Sequence, residues 1–318
     1  MYFLESILGK DNSFWKYVIV FIGAFLVMNT IGAIPLLIVV LGRFMENGNA
    51  MPMEQLSMMN FLSENISQNL FLFLMLIPHV VGLFTVYLLI KLLHKRTFSE
   101  TVNGTGKIRW RRIFTGFSVW FLLMFIYLAI SCIIDPDNFI FQFNITTFIP
   151  LFFIVIIIIP LQTTFEELLF RGYLAQGIGA WTKNRWAVIV IPSILFGLMH
   201  ILNPEVSAYG VWETMPHYIL FGLIFGVASI LDDGIELAMG MHAANNIFGC
   251  LFVSSEHSAL QTPAIFKQQF MNIQMETVVL LITGLLVLFF FSRKYKWRLS
   301  IMNKKIKPLE QISTEEPI

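Results

Sequence analysis

Thr163-Thr164-Phe165-Glu166-Glu167-Leu168-Leu169-Phe170-Arg171-Gly172 sets two acids and a guanidinium inside an apolar run covering 146–179. A run of that length exceeds the roughly 20 residues with which a helix crosses a bilayer. Ionised groups at membrane depth each carry a penalty of roughly 2.5–3.5 kcal/mol or more, so a cluster of them points to function. On a helix, Glu167 and Arg171 stand at i,i+4 with the acid on the N-terminal side, the favourable order for an ion pair. Glu166 is turned about 100° from Glu167. Arg171 can therefore neutralise one acid while the other stays free for acid–base chemistry. Taken alone, the block also reads as a helix-end charge cluster snorkelling to the interface.

The rest of the chain agrees that lipid is its solvent. Of 318 residues, 57% are hydrophobic, 32 are Phe and only 13% are charged, against about a quarter charged in ordinary soluble domains. A net charge of +1, with no basic patch interleaved with aromatics, gives no nucleic-acid partner. Cys132 and Cys250 both lie in apolar runs and read as small membrane-facing side chains, not as a disulfide framework or a Cys-type zinc site. The first apolar run, 18–41, is longer than a signal peptide's core of roughly 7–15 residues. It reads as a retained span kinked near Pro35.

The predicted fold is an all-α polytopic membrane protein with about eight transmembrane helices, near 14–42, 67–93, 113–134, 146–179, 186–202, 217–231, 234–253 and 276–293. Three N-terminal spans occupy 1–144, and a core of spans four to seven occupies 145–255. A loop and last span fill 256–295, and a basic then polar tail, expected to lack structure after about Lys307, fills 296–318. No internal repeat is visible. Lys91, Lys95, Arg96, Lys107, Arg109, Arg111 and Arg112 follow span two, Lys183 and Arg185 follow span four, and seven Lys or Arg between Arg293 and Lys307 follow span eight. The opposite loops carry Glu46, Glu54, Glu64, Asp135, Asp137, Glu205, Glu213 and Glu256. Positive residues accumulate inside, which predicts a multi-pass cell-membrane protein with both termini cytoplasmic.

Two further spans carry polar groups at depth. Span five ends Phe196-Gly197-Leu198-Met199-His200, before Asn203-Pro204 stops the helix. Span seven contains Gly240-Met241-His242-Ala243-Ala244-Asn245-Asn246. There His242 and Asn246 share a face, and Asn245 lies beside it as a further candidate. Small neighbours would admit another helix closely. Singly, His200 reads as a satisfied interfacial residue and His242 with Asn246 as interhelical hydrogen-bond glue. Counting about 1.5 Å per residue, Glu166, His200 and His242 lie about 20, 22 and 14 Å from their helices' cytoplasmic ends, at heights that can meet. Buried together, an acid, two imidazoles and an amide satisfy one another. His79 and His217 read as hydrogen-bonding within the bundle, His94 and His257 as loop residues, Gly222 and Gly226 as helix-packing positions, and Asp232-Asp233-Gly234 as a tight turn.

The three blocks, Glu166-Glu167…Arg171, Phe196…His200 and His242…Asn246, resemble in that order the signature of the CAAX-prenyl-protease and bacteriocin-processing family of intramembrane proteases, also called the Abi family. The resemblance covers about 145–255. It implies that Glu166 and His200 activate a water while His242 and Asn246 stabilise the oxyanion, with Glu167, Arg171, Phe196 and Asn245 in support. It implies as partner a membrane-associated peptide or protein substrate, lipidated or not, within the bilayer. The cofactor stays open: Glu166, His200 and His242 could form a His₂Glu zinc site, or the reaction could be glutamate-dependent without metal. Two other functions stay open: a non-catalytic scaffold or regulator of the same fold, and a proton-coupled transporter. All motif residues being intact weighs against the first, and the absence of paired halves against the second.

Overall fold

Asn144 and Asn184 mark where two of the central helices begin, because each side chain caps its helix by accepting from free backbone N–H groups. The computed structural model describes residues 2–46 and 66–311. The expected loop acids Glu54 and Glu64, and tail residues 312–318, lie outside the described residues. The chain forms α1 (Phe14–Asn29), α2 (Ile34–Glu46), α3 (Gln68–His94), α4 (Phe98–Asn103), α5 (Trp110–Ile134) and α6 (Ile145–Glu167). Beyond α6 a π-helical stretch, Leu168–Leu174, runs into α7 (Ala175–Thr182). There follow α8 (Arg185–Leu198), α9 (Pro204–Tyr209), α10 (Val211–Leu231), α11 (Glu236–Phe252) and α12 (Ile273–Tyr295).

Six described helical stretches are long and apolar enough to cross a membrane: 14–43, α3, α5, 145–182, α10 and α12. They present a belt of exposed side chains such as Ile22, Phe84, Phe114, Phe153 and Phe289, as a lipid-facing surface requires. The other two expected spans are shorter: α8 has 14 residues and α11 has 17. The first stretch breaks between α1 and α2, just before Pro35. Gly32 sits in that break with Pro78 of α3 against it, where a Cβ would come within 2.7 Å of the Pro78 Cα.

Contacts at the helix ends fix the order of passes. The N-terminal segment, the α3–α5 connection, the α7–α8 and α10–α11 turns and the C-terminal segment all meet at one end. Tyr2 N–H donates to the Asp233 carboxylate, Arg185 pairs with Glu5 and donates to the Lys304 carbonyl, and Arg109 pairs with Glu236. At the other end, β1 (Phe139–Phe141), β3 (Phe266–Gln268) and β2 (Val253–Ser255) make a small sheet in the order β1-β3-β2. β1 is antiparallel and β2 parallel to β3, an addition to the all-α expectation. The described helices thus run between a basic end and a sheet-bearing end, six of the stretches being long and apolar enough to cross a membrane.

Glycine sets the tightest crossing. A Cβ on Gly240 of α11 would stand 2.0 Å from the Ile113 carbonyl oxygen, and one on Gly116 of α5 would stand 2.5 Å from the Leu237 carbonyl oxygen. The two backbones are therefore in contact, as small residues permit in membranes. Because α11 is enclosed, Cys250 is buried among helices with Leu72, Ile247 and Leu251, not membrane-facing as its apolar neighbours suggested. His94 closes α3, its ring bonded to the Tyr173 hydroxyl at 2.7 Å and the Asp11 carbonyl at 3.1 Å, so it is no loop residue. In the tail, 309–311 form a helical turn, with Gln311 N–H donating to the Pro308 carbonyl.

Candidate functional site

Where α6 passes into the π-helical stretch, its register changes directly after Glu166 and Glu167. Such π segments recur at functional sites because they re-aim side chains within a helix. Glu167 is fully buried, and one of its oxygens accepts from Arg171 Nη1 at 2.9 Å and from His242 Nδ1 at 2.7 Å. The predicted i,i+4 pair is formed, and His242 joins it from α11. Arg171 also lies over the Phe196 ring, 4.0 Å from its centroid, a cation–π contact strengthened by desolvation. Phe196 touches the His200 and His242 rings as well, at centroid distances of 4.6 and 6.0 Å.

Glu166 is treated differently. Its Oε1 accepts from Gln162 Nε2 at 2.6 Å, one helical turn earlier. Its Oε2 faces His242 Nε2 at 3.7 Å, and His79 Nε2 stands 3.9 Å from Oε1. No lysine or arginine pairs with it among the described residues. The side chain keeps 13% of its surface accessible where Glu167 keeps none. Two consecutive acids thus have opposite environments, one sealed and one approachable.

The histidine tautomers follow from their hydrogen bonds. His200 Nδ1 is 2.7 Å from the Phe196 carbonyl, which can only accept, so Nδ1 carries the proton and Nε2 is bare. Its ring is stacked on Tyr218 with centroids 4.4 Å apart, and it lies within electrostatic reach of Glu166 and His242. His242 Nδ1 likewise donates to the Glu167 carboxylate, which turns Nε2 towards Glu166. Asn246 donates to Gln162 Oε1 at 3.1 Å, and Asn245 faces Trp120 of α5 at 3.3 Å.

The structure therefore gathers Glu166, Glu167, Arg171, Phe196, His242 and Asn246 tightly, brings His200 to the rim, and places Asn245 between Asn246 and Trp120 of α5. With Nδ1 engaged in both rings, Nε2 is the nitrogen each would offer a metal. Among the described residues, however, no three His, Cys, Asp or Glu side chains gather closely enough to hold an ion. As arranged, Glu166, His200 and His242 make no preformed His₂Glu centre. Sequence reasoning missed Gln162 and His79. The signal for His79 was its place mid-span, where the rule used for His200 applied equally. His217 does bond within the bundle, to Thr277 at 3.1 Å.

Fold and site define a polytopic membrane protein with an acid–histidine–amide cluster at bilayer depth. Residues 145–248, which hold every site residue expected from the sequence, match the family described as Type II CAAX prenyl endopeptidase Rce1-like. The chain is 39% identical over 186 residues to "Uncharacterized protein YyaK" of Bacillus subtilis (strain 168), covering 57% of this chain and 62% of that relative's length. No solved structure gives a significant match.

Proposed function

We propose that the chain is an endopeptidase of the cell membrane that hydrolyses a peptide bond in a membrane-associated protein or peptide, its basic end on the cytoplasmic side. The observation that carries the proposal is the split between neighbouring acids. Glu167 is neutralised by Arg171, whereas Glu166 keeps one oxygen clear of any cation, 3.7 Å from His242 Nε2. A general base needs such an approachable lone pair, and a buried ion pair cannot supply it.

The residues then divide the reaction as follows. Glu166, with the bare Nε2 of His200, takes a proton from water as the water oxygen adds to the scissile carbonyl carbon. Asn246 and His242 donate to the resulting oxyanion, where fixed donors contribute most in a low-dielectric site. The Glu167 carboxylate on Nδ1 fixes the His242 ring for that role. Return of the proton to the amide nitrogen lets the C–N bond break, releasing a carboxylic acid and an amine. The family match supports a peptide ending in a prenylated cysteine and three residues as the first substrate to try.

Purified protein in lipid vesicles, given a farnesylated quenched peptide of that kind and an unprenylated leader-like peptide, tests the proposal. Cleavage by wild type and none by Glu166→Ala is the expected result, and the peptide cut gives the substrate class. Equal signals from wild type and variant on both peptides contradict it. Zinc retained at one per chain, with loss of cleavage on chelation and recovery on zinc addition, would overturn the metal-free route.

A further inference from the structure

Beyond the groups that touch substrate, the site is tied to a side chain two helices away. Trp120 Nε1 donates to Asn245 Oδ1 at 3.3 Å, and Asn245 Nδ2 donates to Asn246 Oδ1 at 3.1 Å. Asn246 Nδ2 donates to Gln162 Oε1 at 3.1 Å, and Gln162 Nε2 donates to Glu166 Oε1 at 2.6 Å. An indole N–H can only donate and an ionised carboxylate can only accept. Between those ends stand three amides, whose oxygen and nitrogen are alike in shape and are told apart only by their partners. Because Trp120 donates at one end and Glu166 accepts at the other, all three must point the same way. Flipping any one sets oxygen against oxygen on one side and nitrogen against nitrogen on the other, which breaks two hydrogen bonds of the chain, where Asn245 and Asn246 are half-buried and Gln162 is buried.

The anchors are rigid. Trp120 is fully buried, with Phe225 edge-on at 5.4 Å between centroids. It lies one turn beyond Gly116, where α5 and α11 touch through their backbones, so the gap to Asn245 cannot drift. Gln162 is buried on α6, one turn before the acid it serves.

We propose that Trp120, Asn245, Asn246 and Gln162 form a one-directional hydrogen-bond relay that orients the Glu166 carboxylate, with Trp120 and Gln162 as positioning residues. The relay occupies Oε1 with a donor and so turns Oε2 towards His242. It also commits only one N–H of Asn246, leaving the second outside the chain. The relay itself stands on the hydrogen bonds alone, and its effect on turnover rests on the proteolytic reading above.

Two readouts separate these. In protein labelled with ¹⁵N-tryptophan, Trp120→Phe identifies the Trp120 indole resonance. Gln162→Met, two amides away from that indole, is expected to shift it, while Thr163→Ser on the same helix leaves it in place. An unmoved Trp120 resonance in Gln162→Met overturns the relay whether or not any peptide is cut. On the quenched peptide, Trp120→Phe and Gln162→Met are each expected to lower kcat about tenfold, as loss of one positioned hydrogen bond does, with KM within about twofold. Because both cut one chain, the double variant is expected to lose little more than either single. A double variant down about a hundredfold, the product of the singles, contradicts a shared relay. Failure of wild type to cleave either peptide counts against the proteolytic reading, and the indole shift still decides the relay.

Discussion

The basic end and the middle of this bundle both bury charge, and they differ in how their acids are paired. At the basic end, Asp232 accepts from Arg112 at 3.0 Å and from the Trp297 indole at 3.1 Å, while Glu236, fully buried, is held by Arg109 at 2.5 Å. Glu5 and Arg185, both nearly inaccessible, pair with each other. Every one of these acids has a cation. In the middle of the bundle, only Glu167 has one. Glu166 has an amide and two histidines, and Glu167 Oε2 and Arg171 Nε and Nη2 have no partner among the described residues. Acids each matched to a cation at a helix end lock helices together, even though Arg185 Nε there has no partner among the described residues. Charge with unused capacity at bilayer depth is poorly explained by stability and well explained by chemistry.

The contrast breaks first, and most widely, at Glu166. Glu166→Gln keeps shape and the Gln162 contact but removes the base, so cleavage is expected to fall by about 10³-fold, within the range for general-base loss. Abundance in membranes and the melting temperature in detergent are expected to stay near wild type. Coupled loss of abundance and activity would make Glu166 a structural acid like those at the basic end.

The opposite pattern is expected from Arg185→Ala. Removing one partner of a buried pair destabilises by about 3–5 kcal/mol, read as a lower melting temperature, with cleavage per folded molecule retained. The loss should depend on pH. Burial already holds the Glu5 carboxyl above the usual carboxylate range, with Arg185 opposing it. Without Arg185 the folded-state value rises further above the unfolded value of about 4.3. Stability from that proton is present below the unfolded value and is lost as pH rises through the folded one. The variant is therefore expected to be more destabilised at pH 8 than at pH 5. A pH-independent loss would mean that Glu5 finds another cation.

A smaller effect sharpens the division between the two acids of the motif. Glu167→Gln can still accept from His242 but replaces a charge-assisted hydrogen bond with a neutral one, so kcat is expected to fall by about 10–100-fold, the range expected for loss of a charge-assisted hydrogen bond. A loss as large as that of Glu166→Gln would merge their roles. The smallest effect is expected from Asp233→Asn at the exposed rim, where the side chain receives the Tyr2 and Phe3 N–H groups. An amide oxygen still accepts there, so the change in stability should stay within about 1 kcal/mol.

Much of this was legible from the order of residues. The apolar runs gave the passes, because length against bilayer thickness is a one-dimensional property. Glu167 with Arg171 followed from spacing within one helix. What crosses between helices did not. The Glu167–His242 bond, the approach of His79 to Glu166 and the Trp120–Asn245 contact depend on how α3, α5, α6 and α11 are rotated against each other, which no spacing within a single span encodes. The turn at Asp232-Asp233-Gly234 was visible as a turn, but its place as the centre of the charged end was not, since Arg109, Arg112, Trp297 and Tyr2 reach it from distant parts of the chain. Cys250 was misjudged for the same reason: apolar neighbours in sequence do not distinguish lipid from the inside of a bundle.

The most direct measurement is a quantitative map of peptide termini in membranes from cells carrying wild-type protein, Glu166→Ala or no protein, at matched expression. Termini produced with wild type and absent from both other samples are the predicted result, and they would identify the substrate and the scissile bond together. Identical maps for wild type and Glu166→Ala, with the variant still restoring whatever the missing protein takes away, would contradict the account and leave a membrane scaffold in its place.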